Sequence, residues 1–158
     1  MAFEKAKEHI AKKGYEDRVM VFDVSSATVE LAAIAVGTEP EKIAKSLTFM
    51  VDGKPVMVLC AGDAKVNNSK YKEFFHTKAK MLSPDEVSTL IGHDIGGVCP
   101  FGINEGVDVY LDDSLKRFEV VYPACGSSNS AVKLTIKELE EVSDYKQWID
   151  VCKVPTEE

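Results

Sequence analysis

The segment 47–60 constrains the fold more than any other stretch of the chain. Leu47, Phe49 and Val51 recur at period two, Asp52-Gly53 supplies a tight-turn dipeptide, and Pro55 to Cys60 is an apolar run. Together these read as a β-hairpin. Just upstream, Thr38-Glu39-Pro40-Glu41 has the form of a capping box with an early proline, which predicts a short rigid helix over 40–45. That helix would hand Lys45 to the first hairpin strand and place its ammonium at a helix–strand junction.

Around the hairpin, local signals divide the remaining chain. Phe3, Ala6, Ile10 and Ala11 recur at helical spacing and predict a helix over 2–13 ended by Gly14. Val19 to Phe22 reads as a short strand, and Ser25 or Ser26 as the cap of a helix carrying Val29, Ala32, Ala33 and Val36 before Gly37. Lys78 to Leu82 reads as a strand, and Ser83-Pro84-Asp85-Glu86 as a helix start, with the helix ending near Gly92. Two further strands are expected at 107–111 and 118–122, another at 131–134, and a last helix begins at the capping box Thr135 to Glu138. Val154 to Glu158 should fray. Strands and helices do not alternate regularly, and several strand pairs have connections of hairpin length. The expected fold is therefore α+β, one domain over 1–158 built on a mixed, partly closed sheet.

Charge and cysteine usage exclude several classes of function. At a formal net charge of −7, broad nonspecific nucleic-acid binding is disfavoured, because such binding is driven by counterion release from phosphates; no DNA partner is expected. Cys60, Cys99, Cys125 and Cys152 show no paired spacing, and His9, His76 and His93 are equally dispersed, so neither a zinc site nor a disulfide framework is expected, and no metal or cofactor is called for. No apolar stretch is long enough to cross a bilayer, and Met1 to Lys5 opens into a charged helical pattern. A soluble cytoplasmic protein without a membrane partner is the expectation. One segment departs from the acidic balance: 65–80 carries Lys65, Lys70, Lys72, Lys78 and Lys80 against Glu73, with Tyr71, Phe74 and Phe75 interleaved. It reads either as an RNA-backbone contact through Lys65, Lys70 and Lys72, or as an amphipathic helix that buries its aromatics and wets its lysines.

Two constellations could carry chemistry. Lys45 is one, although a lysine finishing a helix also satisfies the negative end of the helix dipole. The other is the loop Gly96-Gly97-Val98-Cys99-Pro100-Phe101-Gly102, whose glycines let backbone N–H groups approach a carbonyl or phosphate and whose proline stiffens it; a tight turn between sheet elements is the alternative. It is neither a P-loop nor a dinucleotide fingerprint. Cys99 with His93 or His76 invites a thiol-nucleophile reading, against which stands the frequent use of cysteine as a small buried hydrophobe. Ser127, Ser128 and Ser130 lack a nucleophile-elbow context.

Taken in order, Ala44-Lys45-Ser46-Leu47, Ala61-Gly62-Asp63-Ala64-Lys65-Val66, the loop 96–102 and the Gly126 loop leading into Val132-Lys133-Leu134-Thr135 resemble the YbaK/prolyl-tRNA-synthetase-associated editing family. The resemblance runs from about residue 20 to residue 142. It implies a β-barrel-like sheet surrounded by helices and an aminoacyl-tRNA deacylase that removes a wrong amino acid, such as alanine or cysteine, from tRNA(Pro). It further implies that Lys45 is the critical residue, that Gly96, Gly97, Val98, Cys99, Pro100, Phe101, Gly102 and Gly126 hold the aminoacyl ester and terminal ribose, and that mischarged tRNA and a synthetase are partners. A non-catalytic tRNA- or synthetase-binding module of the same fold is the alternative. Ala124-Cys125-Gly126 stands where some members carry serine-glycine-glycine, and Lys65 and Asn67 depart from a Gly-Asp-x-Arg-Val-Asp pattern.

Overall fold

The computed structural model describes residues 2–155. The hairpin is its centre. β2 (Ile43–Val51) and β3 (Lys54–Ala61) pair antiparallel from Ala44 opposite Ala61 to Val51 opposite Lys54. Asp52 (φ 50°) and Gly53 (φ 79°) both adopt the left-handed conformation at the turn, as a two-residue hairpin connection requires.

Four further strands extend this pair into a curled half-barrel sheet: β5 (Asp108–Asp112), β6 (Val120–Pro123), β8 (Leu134–Thr135) and β9 (Gln147–Ile149), in the order β8-β6-β2-β3-β5-β9. Two ribbons flank it, β1 (Val19–Val21) with β7 (Ser130–Val132) and β4 (Lys65–Val66) with β10 (Cys152–Lys153). The expectation of several hairpin-length connections is corrected here. β2 with β6, β3 with β5 and β5 with β9 are parallel pairs, and parallel strands need long crossovers.

The crossovers carry the helices α3 (Asn68–Phe75), α4 (Pro84–Glu86) and α5 (Ile136–Val142), while α1 (Ala2–Lys12) and α2 (Val29–Val36) precede β2 in the chain. β3 is buried from Val56 to Ala61, consistent with a central strand covered on both faces. Against it and its neighbours pack Ala6 and Ile10 of α1, Tyr71 and Phe75 of α3 and Leu139 and Val142 of α5. Phe49, Tyr71, Phe75 and Tyr110 form a chain of ring contacts at 5.0, 4.6 and 5.4 Å. α3 is thus the amphipathic helix that its aromatic spacing suggests, each buried ring contributing about 1.5–3 kcal/mol.

Several local expectations give way to tertiary context. The helix over 40–45 shrinks to a 3-10 turn at Pro40–Lys42 with no side-chain cap at Glu39, because Ile43 and Ala44 already pair with Tyr122 and Pro123 of β6 and a helical nucleus that short gains little. Lys45 is consequently the third residue of β2, not a helix terminus. Thr28, rather than Ser25 or Ser26, caps α2, its hydroxyl accepting from Leu31 N–H at 3.2 Å. The strand over 78–82 reduces to one bridge, Met81 opposite Phe49. The capping boxes at Ser83 and Thr135 form as expected, the first continuing as a π-helical turn, Val87–Ile91, to Gly92. Val154 is buried in the core rather than frayed, and Thr156, Glu157 and Glu158 lie outside the described residues. Among the described residues no helix is long and apolar enough to cross a membrane.

Candidate functional site

In β2, Lys45 projects beside the turn that follows β3. Its Nζ donates to the carbonyl of Ala64 at 2.5 Å and of Gly62 at 3.3 Å. An ammonium has three protons, so two fix its position and one remains for a ligand.

The turn is itself pinned from three sides. Ala64 N–H donates to Ala61 C=O at 2.9 Å, and Ala61 N–H donates to the Ser114 hydroxyl at 3.0 Å. Arg117 holds Asp63 through two parallel bonds at 2.5 and 3.1 Å, the fork geometry that suits a carboxylate. Gly62 has no room for a side chain: a Cβ there would lie 2.0 Å from Pro40 O and 2.8 Å from Val29 Cγ1. Close backbone approach at Gly62 therefore sets where the lysine's two acceptors stand.

Lys45 lines a cavity of about 190 Å³, below the roughly 300–1,000 Å³ of a typical small-molecule site. One wall is Thr28, Val29 and Ala32 from α2 and the residues before it, with Ser26 and Ala27; a second is Ile43, Ala44 and Ser46 of β2; a third is Tyr122, Ala124, Ser130 and Ala131; the last is Ile95, Gly96 and Val98. The lining is mostly apolar, with a few hydroxyls. Ser26 donates to Ser130 C=O at 3.4 Å, and the Ser130 and Ser127 hydroxyls are 2.6 Å apart.

Of the residues singled out in the sequence, Lys45, Gly96 and Val98 meet at this cavity, and Gly97, Cys99, Pro100, Phe101, Gly102 and Gly126 do not line it. The glycines serve close packing. A Cβ on Gly97 would lie 2.6 Å from Ser127 N, one on Gly102 2.6 Å from the Lys5 carbonyl carbon, and one on Gly126 2.6 Å from Ala2 O, so the two glycine loops abut each other and seat under α1. Several loop amides are committed internally: Gly97 N–H to Asp94 C=O at 3.1 Å, Cys99 N–H to His93 Nδ1 at 3.2 Å and Gly102 N–H to His9 Nδ1 at 3.1 Å. Among the described residues, the amides of Gly96 and Val98 have no protein acceptor.

Cys99 Sγ lies 3.8 Å from His93 Nδ1, so of the two histidines named with this thiol His93 is the one beside it. Both are buried, with Cys99 at 0% and His93 at 1% exposure. Burial pushes the thiol far above its ordinary range and holds the imidazole below its own. A thiolate nucleophile needs an electropositive, accessible setting, and this dry one favours the neutral pair. Burial likewise pushes the Cys125 thiol up to about 12. All four cysteines are buried and unbridged.

Among the three lysines read as RNA contacts, Lys70 is engaged by Asp150 and by Cys152 C=O, both at 3.0 Å. Lys65 and Lys72 are exposed, on β4 and α3. Sequence reasoning missed the walls from Ser26, Thr28, Tyr122 and Ser130; the run of small residues before Val29 was the available signal.

Known proteins resemble this chain in sequence and in fold. The family model of the aminoacyl-tRNA editing domain matches residues 24–142. The chain is 52% identical over 154 residues to the uncharacterized protein YwhH of Bacillus subtilis (strain 168), covering 97% of this chain and 98% of that protein. It is 32% identical over 102 residues to the proline–tRNA ligase of Geobacillus sp. (strain WCH70), where the match takes in 64% of this chain but 18% of the ligase. A solved structure described as a proposed trans-editing enzyme for prolyl tRNA synthetase superposes with a TM-score of 0.86 at 27% identity, over 96% of this chain and 97% of the other.

Proposed function

The chain belongs to the aminoacyl-tRNA editing domain family, and from that premise we propose that it hydrolyses the ester of a mischarged tRNA, with tRNA(Pro) bearing alanine or cysteine as the substrate. The observation that carries this reading is the tethered ammonium of Lys45 at the wall of a small, mostly apolar cavity beside the amides of Gly96 and Val98.

Water adds to the ester carbonyl, and negative charge gathers on the carbonyl oxygen as the tetrahedral intermediate forms. The free proton of Lys45 and the nearby amides stabilise that oxygen, or the adjacent phosphate, through donors already in place. Collapse breaks the bond between the acyl carbon and the ribose oxygen, which takes a proton and leaves as the tRNA hydroxyl, while the amino acid leaves as a carboxylate. A ribose hydroxyl steers the water, so no protein nucleophile is needed, in keeping with the buried state of Cys99. An aminoacyl ester is already activated, and positioning with charge stabilisation is sufficient.

The volume of about 190 Å³ supports a small side chain. A synthetase pocket built for proline discriminates poorly against smaller amino acids, since one methylene is worth about 1–3 kcal/mol, and a second, smaller sieve supplies the missing selectivity. Relatedness to proline–tRNA ligases supports tRNA(Pro) as the carrier.

The test is a deacylation screen of the purified protein against tRNAs charged with alanine, cysteine, serine and threonine, repeated with Lys45→Ala. Turnover of alanyl- or cysteinyl-tRNA(Pro) that falls about 10²–10³-fold in the variant is expected, the usual cost of one oxyanion donor. Unchanged turnover by Lys45→Ala, or binding of every mischarged tRNA without hydrolysis, would overturn it.

A further inference from the structure

Lys65 and Lys153 are direct register partners in the β4–β10 ribbon, and both are exposed. Directly opposed residues of an antiparallel pair share one face with Cβ atoms about 4.5–5.5 Å apart, so like charges there repel. Among the described residues neither lysine has a carboxylate partner. The chain then passes through Asn67, the cap of α3, into a surface hollow of about 450 Å³ lined by Asn68, Ser69, Lys72, Lys78 and Ala79. No acidic residue lines that hollow, and Lys72 and Lys78 are likewise without an ion-pair partner among the described residues. Glu73, beside Lys72 on α3, is the one acidic residue within 65–80. Lys70 is left out because Asp150 and Cys152 C=O hold it.

Three uncompensated cations within residues 65–78, with Lys153 facing the first of them across the ribbon, leave in a chain of net charge −7 a repulsion that a row of anions would relieve. The stretch also begins one residue beyond Ala64, whose carbonyl holds Lys45. We propose that Lys65, Lys153, Lys72 and Lys78 bind the phosphodiester backbone of the tRNA whose aminoacyl end occupies the Lys45 cavity. RNA is favoured over an acidic protein surface because the donors are lysines with a neighbouring serine and asparagine, groups that contact phosphate, and the hollow offers no Trp, Tyr or Arg anchor of the kind that dominates protein interfaces. The identity of the RNA rests on the deacylase reading above, and the experiment separates the two.

Binding of uncharged tRNA(Pro) to the full chain is measured across a salt series for wild type, for Lys65→Gln with Lys153→Gln, for Lys72→Gln with Lys78→Gln, and for Lys137→Gln on α5 as a control. Hydrolysis is followed on mischarged tRNA and on the same amino acid esterified to adenosine, which has no phosphodiester. Each double variant is expected to bind tRNA about tenfold or more weakly at 0.1 M salt, with the slope of log K against log salt shallower by about 2, one per lysine. KM for mischarged tRNA should rise while aminoacyl-adenosine hydrolysis and the melting temperature hold, and the control should match wild type. Unchanged salt slopes in both double variants would overturn the strip. A wild type that hydrolyses neither ester would sink the deacylase reading alone, because the salt slopes would still decide the strip.

Discussion

Gly62 holds Lys45 without itself lining the cavity. Gly62→Ala would force its Cβ into Pro40 O, 2.0 Å away, and the turn carrying both carbonyl acceptors of Lys45 must shift. The expected result is a deacylation rate down on the order of tenfold or more, with a stability loss of about 1–3 kcal/mol, read by single-turnover kinetics and urea unfolding; unchanged kinetics would show that the clamp does not position the ammonium. His93 gives a pH dependence. Its Nδ1 accepts from Cys99 N–H, and burial lowers its pKa below the ordinary value of 6.5, so the unfolded chain binds the proton more readily than the folded one. From this group, stability holds above about pH 7 and falls as pH drops from about 6.5 toward the depressed folded value, by at most about 1.4 kcal/mol per pH unit. Melting curves between pH 5 and 8 should flatten in His93→Gln, and an identical pH profile would refute the assignment. Lys45 was legible in the sequence through the hairpin that follows it; the carbonyls that hold it were not, because they sit 17 and 19 residues along the chain.

Helix caps separate stability from activity at the scale of elements. Ser83→Ala removes the capping box of α4, away from the cavity lining, and should cost about 1 kcal/mol with deacylation unchanged. Thr28→Ala should cost a similar amount and also raise KM, because α2's first turn walls the cavity. Equal kinetics for the two variants would argue against that wall. Elements with self-contained signals were readable: the Asp52-Gly53 hairpin, the boxes at Ser83 and Thr135, and α1 up to Gly14, which takes φ 90°. Thr38 to Glu41 misled because its local capping pattern competes with pairing of Ile43 to Tyr122, a partner 79 residues distant. The same non-locality hid the cavity, whose walls come from segments near 28, 45, 97 and 127 that meet once the parallel strands are in place.

For the whole molecule, α1 acts as a floor. It packs Ala6 and Ile10 into the core and seats Gly102 and Gly126 against its backbone. Ile10→Ala should cost about 2–5 kcal/mol, measured as a lower urea midpoint at unchanged slope; a loss under 0.5 kcal/mol would mean α1 is peripheral. The mixed, curled sheet was anticipated in class, whereas its order was not, since β3 meets β5 only after residues 62–107 have been traversed. That order has a consequence during translation. The hairpin emerges from the ribosome with Val56 to Ala61, six consecutive uncharged residues of a strand, open along the side that β5 will cover. At about 5–20 residues per second, the covering strand arrives roughly 2–9 seconds later. For that interval the nascent chain presents a sticky, unpaired border, and the cell's holding chaperones have a defined stretch to shield.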